Sequence, residues 1–353
     1  MDNLLNNKKF SIKYSKSSND ILKENIDMIN KEKILYEDQK ELTEMLVTFP
    51  KRKSCNCCGS KFKGVQFQHR NIAFKECSRC GHIQTLNKPP SNYLDILSKS
   101  SIFSKVYPKL NKKEFLLRRD RIYKPKLDWI FEVLNELGQK DPDLLNKRWV
   151  EIGSGAGYFL SAAKQKGISK LIGVESDEIL HSNAVFNNPN LDIRCWKKSF
   201  HDVLNLNADI YCSFYVLEHI DELQLVWKKM REMPIKTIFV FSVPVFGFSC
   251  LLENSFVNQF GRNLGGDAHT QIFTDDSIEY AMELAGCEIL SEWIFGQDIS
   301  DLLRFINKDS SNNNKTKIHS TLNSRLNNLH DQIQALFDMC HLSDQRHFIA
   351  TRK

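Results

Sequence analysis

Three groups of residues carry side chains or backbone freedom that could do chemistry. The first is a glycine turn, Glu151-Ile152-Gly153-Ser154-Gly155-Ala156-Gly157-Tyr158. Glycine lets the backbone approach a ligand because no Cβ intervenes. A helix starting at Tyr158 adds free N–H groups beside the turn. A second acid, Glu175, ends the apolar stretch Leu171-Ile172-Gly173-Val174, about 20 residues on, where a carboxylate can accept hydrogen bonds from ribose hydroxyls. The second group is Tyr215-Val216-Leu217-Glu218-His219 with the later His269, all groups able to hold or move a proton. The third is Cys55-Asn56-Cys57-Cys58-Gly59 with Cys77-Ser78-Arg79-Cys80-Gly81.

Two C-x-x-C-G units about 18 residues apart fit a four-thiolate zinc ribbon, with Cys55, Cys58, Cys77 and Cys80 as ligands. Each following glycine permits the turn that aims N–H groups at the sulfurs. Val65, Phe67, Ile72 and Phe74 suit a small hairpin between the units. Cys57 is surplus to a tetrahedral site and reads as a bystander able to substitute. A ribbon of this kind reads as a folding staple, with no catalytic role assigned to the metal.

A dinucleotide turn, G-x-G-x-x-G, needs a small third residue to pack helix on strand. Tyr158 occupies that place and is too large. The observed G-x-G-x-G, with Glu151 inside the preceding strand, resembles the first motif of class I S-adenosylmethionine (SAM) methyltransferases. Glu175 matches the second motif, and Asp209 to Ile220 resembles the family's fourth strand with its Leu-Glu-His loop. Arg118 to Leu134, Val243-Pro244, His269-Thr270-Gln271-Ile272-Phe273-Thr274 and Ala285-Gly286-Cys287 follow in register. Together with the cysteine pairs, residues 55–353 resemble bacterial zinc-ribbon SAM methyltransferases associated with sugar and surface-polysaccharide biosynthesis. Two departures bear on substrate: Val245 follows Pro244 where the family has Asn, and Cys287 follows Gly286 where it has Phe.

The resemblance implies SAM held by Glu151, Gly153, Ser154, Gly155, Gly157, Tyr158, Glu175, Phe214 and Glu218. It implies catalysis near His269, His219 and Tyr215, with His269 the first choice for a base or substrate contact. Some related enzymes carry E-x-x-E-H at the Leu-Glu-His loop. Here Tyr215 replaces the first acid, leaving Glu218, His219 and His269 as a weak metal set. The implied fold is α/β, a Rossmann-like seven-stranded methyltransferase sheet with an N-terminal zinc ribbon and a helical connector.

The elements that must position these residues are legible as alternation. Strands are expected near 149–152, 171–175, 191–195, 209–214, 236–243 and 287–295. Helices are expected near 157–166, 177–187, 221–232, 275–285 and 301–308. Such alternation argues a mostly parallel sheet covered on both faces. His347 to Thr351 reads as a last antiparallel strand beside the fifth, as in the family. Pro244 to Ala268 reads as one long loop. Leu322, Leu326, Leu329, Ile333, Leu336 and Cys340 make a two-heptad seam, expected to pack on its own domain. Domain limits are expected at 1–54 (an extension, flexible over 1–18 with surface helices over 20–47), 55–86 (ribbon), 87–148 (basic helical connector) and 149–353 (methyltransferase domain).

Charge is uneven. Residues 51–130 hold 19 Lys/Arg against 5 Asp/Glu, so the remainder of the chain is net acidic. A one-sided field attracts an anionic partner, a nucleotide-linked small molecule or RNA, or docks on the acidic remainder. Against RNA base chemistry, no Asn/Asp-Pro-Pro-Tyr follows the fourth strand, and no cysteine in that loop serves as a nucleophile. No run of about 18 apolar residues occurs, so no membrane span is expected. Residues 1–18 lack an apolar secretory core, and the cysteines read as reduced in a cytoplasmic chain. A non-enzymatic scaffold is disfavoured by the intact Glu151, glycines and Glu175. Acceptor atom and oligomeric state are not legible.

Overall fold

The computed structural model describes residues 10–18, 22–90, 92–100, 110–137, 143–266, 269–307 and 317–353, and only the backbone of 22–30, 94, 95, 307, 317, 319 and 320. Two sheets organise them. The strands are β1 (Ser11–Tyr14), β2 (Gln66–His69), β3 (Ile72–Glu76), β4 (Ile83–Thr85), β5 (Arg148–Ile152) and β6 (Lys170–Glu175). There follow β7 (Asp192–Cys195), β8 (Ile210–Phe214), β9 (Ile238–Pro244), β10 (Gln271–Ile272), β11 (Cys287–Ile294) and β12 (Gln345–Arg352).

The large sheet runs β1-β11-β12-β9-β8-β5-β6-β7. β7, β6, β5, β8 and β9 are mutually parallel, and β12 is inserted antiparallel between β9 and β11. Helices Tyr158–Lys166, Glu178–Asn187, Leu223–Arg231 and Asp275–Ala285 provide the connections. Strand centres are buried on both faces, so they read as continuous apolar runs such as Ile238 to Val243. Helix ends follow local chemistry. Asp177 caps Leu180 N at 2.7 Å, Thr274 and Ser277 form a capping box, and Gly286 closes the same helix at φ +61°.

Among the described residues the sheet has eight strands where seven were expected. The eighth is β1, from a segment expected to be flexible; residues 1–9 lie outside the described ones. β1 pairs parallel with β11, Ser11 with Ser291 through Tyr14 with Ile294. It covers an edge that would otherwise expose unpaired N–H and C=O groups. Ser15 N then donates to Ile294 O at 2.8 Å, and Trp293 Nε1 donates to Ser15 O at 3.0 Å.

The region expected to be one loop, Pro244 to Ala268, contains the helix Phe248–Ser255, while 267–268 lie outside the described residues. Its start is capped from elsewhere in the chain, because Asp298 Oδ1 accepts from Ser249 N and Oγ at 2.9 and 2.8 Å. Local sequence could not announce such a cap. The heptad seam is also corrected. The helix breaks at Leu329 into Lys317–Asn328 and His330–Met339, and Leu322, Leu329 and Leu336 are exposed. The second helix buries His330, Gln334 and Asp338 instead. The neighbours on that side are polar: Gln334 Nε2 donates to Asp298 at 3.1 Å.

The small sheet, β10-β4-β3-β2, joins the cysteine region to the large sheet's domain. The expected hairpin is β2 with β3, Phe67 stacked on Phe74 at 5.4 Å. Its fourth strand, β10, comes from residues 271–272, far along the chain, and pairs with β4.

Candidate active site

The glycine turn follows β5, with Gly153, Gly155 and Gly157 all at positive φ. A Cβ on Gly153 would lie 2.5 Å from Val216 Cγ2, whereas one on Gly155 would meet nothing within 4 Å. Gly153 therefore serves packing, and Gly155 faces open space where a ligand can approach the backbone. Glu151 is buried with Oε2 lacking any hydrogen bond, and Ser154 Oγ is likewise buried and unpartnered. Burial, then Glu175, holds the Glu151 carboxyl well above the usual range. Glu175 stands at the end of β6, accepting from Gly155 N at 2.7 Å and Asp177 N at 2.9 Å. Burial raises its carboxyl too, against those N–H groups. An open cradle beside desolvated acids with unused acceptor capacity fits the amine and hydroxyl donors of SAM.

Helices N-terminal to β5 close one side. Tyr158 stacks between Phe115 at 4.8 Å and Tyr123 at 5.4 Å, with Arg118 5.2 Å from its ring. A π-helical turn, Arg119–Tyr123, interrupts the segment, a distortion frequent at functional sites. It is followed by Lys126, fully buried, with Nζ 4.9 Å from the Phe214 ring and 4.7 Å from the Tyr215 ring. Burial, then Lys16 and Arg118, push its amine well below the usual lysine range, while Glu151 and Glu218 oppose the shift.

The second group collects after β8. Tyr215 is left-handed at φ +58°, a strained place for a bulky side chain. Its hydroxyl donates to Gln345 Oε1, and burial holds the phenol well above its usual range. Glu218 is fully buried with neither oxygen hydrogen-bonded, and burial pushes it up to about 8. His269 Nε2 lies 4.0 Å from Glu218 Oε1, and the His219 and His269 rings are 5.2 Å apart. Burial, then His219 and Arg262, hold His269 down to about 3. Donor atoms of Glu218, His219 and His269 all lie within 4.8 Å of one another. The loop leading towards His269 is fixed by Glu253, which accepts from Arg262, Asn263 and Leu264 N at 2.9, 3.0 and 2.6 Å.

The sulfurs of Cys55, Cys58, Cys77 and Cys80 also lie within 4.8 Å of one another, with Cys55–Cys80 and Cys58–Cys77 both at 3.7 Å. A tetrahedral zinc with Zn–S bonds of about 2.3 Å separates its sulfurs by about 3.8 Å, so the set fits that ion. Gly59 and Gly81 adopt positive φ as they close the two knuckles. Cys57 stands outside this set, its thiol 3.7 Å from Ser277 O.

Sequence reasoning missed Lys126 as part of the site, counting it among basic surface residues. Its signal was position: it shares the helix face of Leu127, Ile130 and Val133, all buried. Two other members of the basic stretch are paired: Arg119 with Asp120 and Lys124 with Asp128. Arg52 and Asp221 carried no motif signal, whereas Gln271 lay in the His269–Thr274 stretch with no role assigned to it.

Residues 118–292 match a family model described as a methyltransferase domain. No curated protein matches the chain significantly. Solved structures similar to it include a SAM-dependent methyltransferase from Archaeoglobus fulgidus, at 18% identity over 68% of this chain and 97% of that one, TM-score 0.39. Another is the magnesium protoporphyrin IX methyltransferase of Synechocystis with bound SAH, at 12% identity over 74% and 94%, TM-score 0.40. The matched segment contains the glycine turn, Glu151, Glu175, Glu218, His219 and His269. Residues 118–292 thus form a methyltransferase domain.

Proposed function

We propose that this cytoplasmic enzyme methylates a small anionic acceptor, a nucleotide-activated sugar or surface saccharide, and that Cys55, Cys58, Cys77 and Cys80 hold one structural zinc. The observation that carries the reading is a juxtaposition. The open face of Gly155 and the unpartnered Oε2 of Glu151 lie at the C-terminal end of β5, and the buried Glu218 gathers with His219 and His269 after the adjacent β8. Bound SAM supplies a methyl group activated by its sulfonium. The chain's task is to align an acceptor with it, because positioning provides much of the acceleration of such a transfer.

Glu151 and Glu175 orient the cofactor through its amine and hydroxyls. His269, kept uncharged at neutral pH, presents a ring nitrogen that accepts a hydrogen bond from an acceptor hydroxyl and so orients it towards the methyl group. Glu218, protonated below about 8, can donate a hydrogen bond to the same acceptor. The resemblance to sugar-pathway enzymes names the acceptor class. The pairing of Arg119 and Lys124 with carboxylates leaves less free charge in the basic stretch for a polynucleotide.

Binding of a nucleotide-sugar panel and of a random single-stranded RNA, at about 50 and 200 mM salt, tests this. Saturable sugar-nucleotide binding with modest salt dependence is expected. Tight RNA binding with a log–log salt slope of several units, and no sugar-nucleotide saturation, would replace the acceptor class.

A further inference from the structure

The cysteine knuckles grip the two segments that carry Glu218, His219 and His269. Arg52, its side chain only 1% exposed, donates from Nη2 to Asp221 Oδ1 at 2.7 Å and from Nε to Thr85 O at 3.0 Å. Asn56, between Cys55 and Cys57, donates from Nδ2 to the same Asp221 oxygen at 3.0 Å. Its own N donates to Gln84 Oε1 at 3.0 Å. Gln224 Nε2 reaches Cys55 O at 3.2 Å.

The other segment is stitched in as a strand. β10 pairs with β4, Gln271 opposite Gln84 and Ile272 opposite Ile83, and Thr85 N donates to Thr270 O at 2.9 Å. Gln271 is fully buried and joins all three parts. Its Oε1 is 3.1 Å from His82 Nε2 in the cysteine region, and its Nε2 donates to Ile220 O in the Leu-Glu-His loop. Thr274 Oγ1 donates to Gly81 O at 3.2 Å. Glu218 itself offers the loop no anchor, because neither of its carboxylate oxygens is hydrogen-bonded.

We propose that the cysteine region is a positioning frame for the acceptor side of the active site. Gln271 and the Arg52–Asn56–Asp221 cluster set where Glu218, His219 and His269 stand. These are positioning residues, none being assigned contact with substrate. The inference rests on the acceptor reading of those three side chains. Physically it follows from where polar bonds are made. Hydrogen bonds among buried polar groups favour one arrangement, and removing one partner leaves the other unsatisfied.

The test uses the full chain with zinc retained, labelled with ¹⁵N at histidine, with and without SAH. His219→Gln and His269→Gln assign the two ring signals. Gln271→Ala and Asp221→Ala are expected to shift or broaden both, while His181 and His330 stay in place and zinc content and SAH affinity hold. Asp221→Asn keeps the oxygen that Arg52 and Asn56 use, so it should restore the wild-type positions. Asp221 lies on a partly exposed loop and is not a thiolate ligand, so its variants keep the test open if Gln271→Ala fails to fold. Unmoved His219 and His269 signals in Asp221→Ala would overturn the proposal. So would movement of His181 and His330 to the same extent, which would mark general loosening. No acceptor is needed, so a negative result leaves the methyl-transfer reading standing, whereas loss of SAH binding by the wild-type chain would strike that reading alone.

Discussion

The cofactor side and the acceptor side of this site are built in opposite ways. On the cofactor side, strand, glycine turn, helix and second strand follow one another between Arg148 and Glu175. Its key contacts are short-range in the chain, as with Glu175 and Gly155. On the acceptor side, Glu218, His219 and His269 come from separate segments and are braced by residues 52–85. A local motif can bind cofactor in many contexts. A composite one depends on every segment arriving, so it is the side where substrate choice can vary without disturbing the cofactor.

The largest expected effect comes from breaking the brace. Cys77→Ser should release the zinc, measured as metal per purified chain, with local unfolding of the cysteine region. Structural zinc sites are worth on the order of 10 kcal/mol to small modules, so little residual binding is expected. If the comparison holds, SAM affinity should change by less than about threefold, since no zinc ligand touches the turn. Full zinc retention by this variant would remove Cys77 from the ligand set.

Next is the cofactor side itself. Glu175→Ala should weaken SAM binding in calorimetry by about 3 kcal/mol, roughly a hundredfold, because bonds to a charged group contribute about 1.5–3 kcal/mol each. Zinc content should be unchanged. Equal affinity in variant and wild type would show that Glu175 only ties Gly155 and Asp177.

A smaller effect sharpens the acceptor side through pH. Glu218 is raised to about 8 in the folded chain from an ordinary 4.5. Its stabilising contribution is therefore complete below about 4.5 and is lost as pH rises through about 8. Glu218→Gln should raise the thermal midpoint above pH 8, by on the order of 1–3 kcal/mol of stability, with little effect near pH 5. A pH-independent difference between the two proteins would mean that Glu218 does not titrate there. The smallest expected effect is that of Cys57→Ser. Its thiol donates to Ser277 O and stands outside the four-sulfur set, so zinc stoichiometry should stay at wild type. Loss of metal would bring Cys57 into the set.

These expectations divide as legibility did. The strands and helices around the glycine turn were readable to within a residue or two, because buried parallel strands are apolar runs and their helices carry caps at Asp177, Thr274 and Gly286. The helix Phe248–Ser255 was not, since its cap is Asp298, 49 positions away. The Leu322–Leu336 seam misled, because heptad spacing reports which residues share a face and not which face is buried. There the interior is the polar set of Asp298, Asp338 and Ser343, so the leucines point outward. Lys126 was hidden by its charge, since lysine is almost never fully buried.

By itself, then, the sequence determined the parallel α/β core, the cradle at Gly155 with its two acids, and the grouping of thiols in C-x-x-C-G pairs. Each of these is encoded by spacing within one element or two adjacent ones. Tertiary structure decided that residues 11–14 complete the sheet edge and that Lys126 is buried against Phe214 and Tyr215. It also decided that β10 leaves the methyltransferase region to join the cysteine sheet, which brings Gln271 onto the Leu-Glu-His loop. The physical reason is that these features rest on unsatisfied edges and buried polar groups finding partners far along the chain. Local pattern carries no record of such partners until the chain has folded.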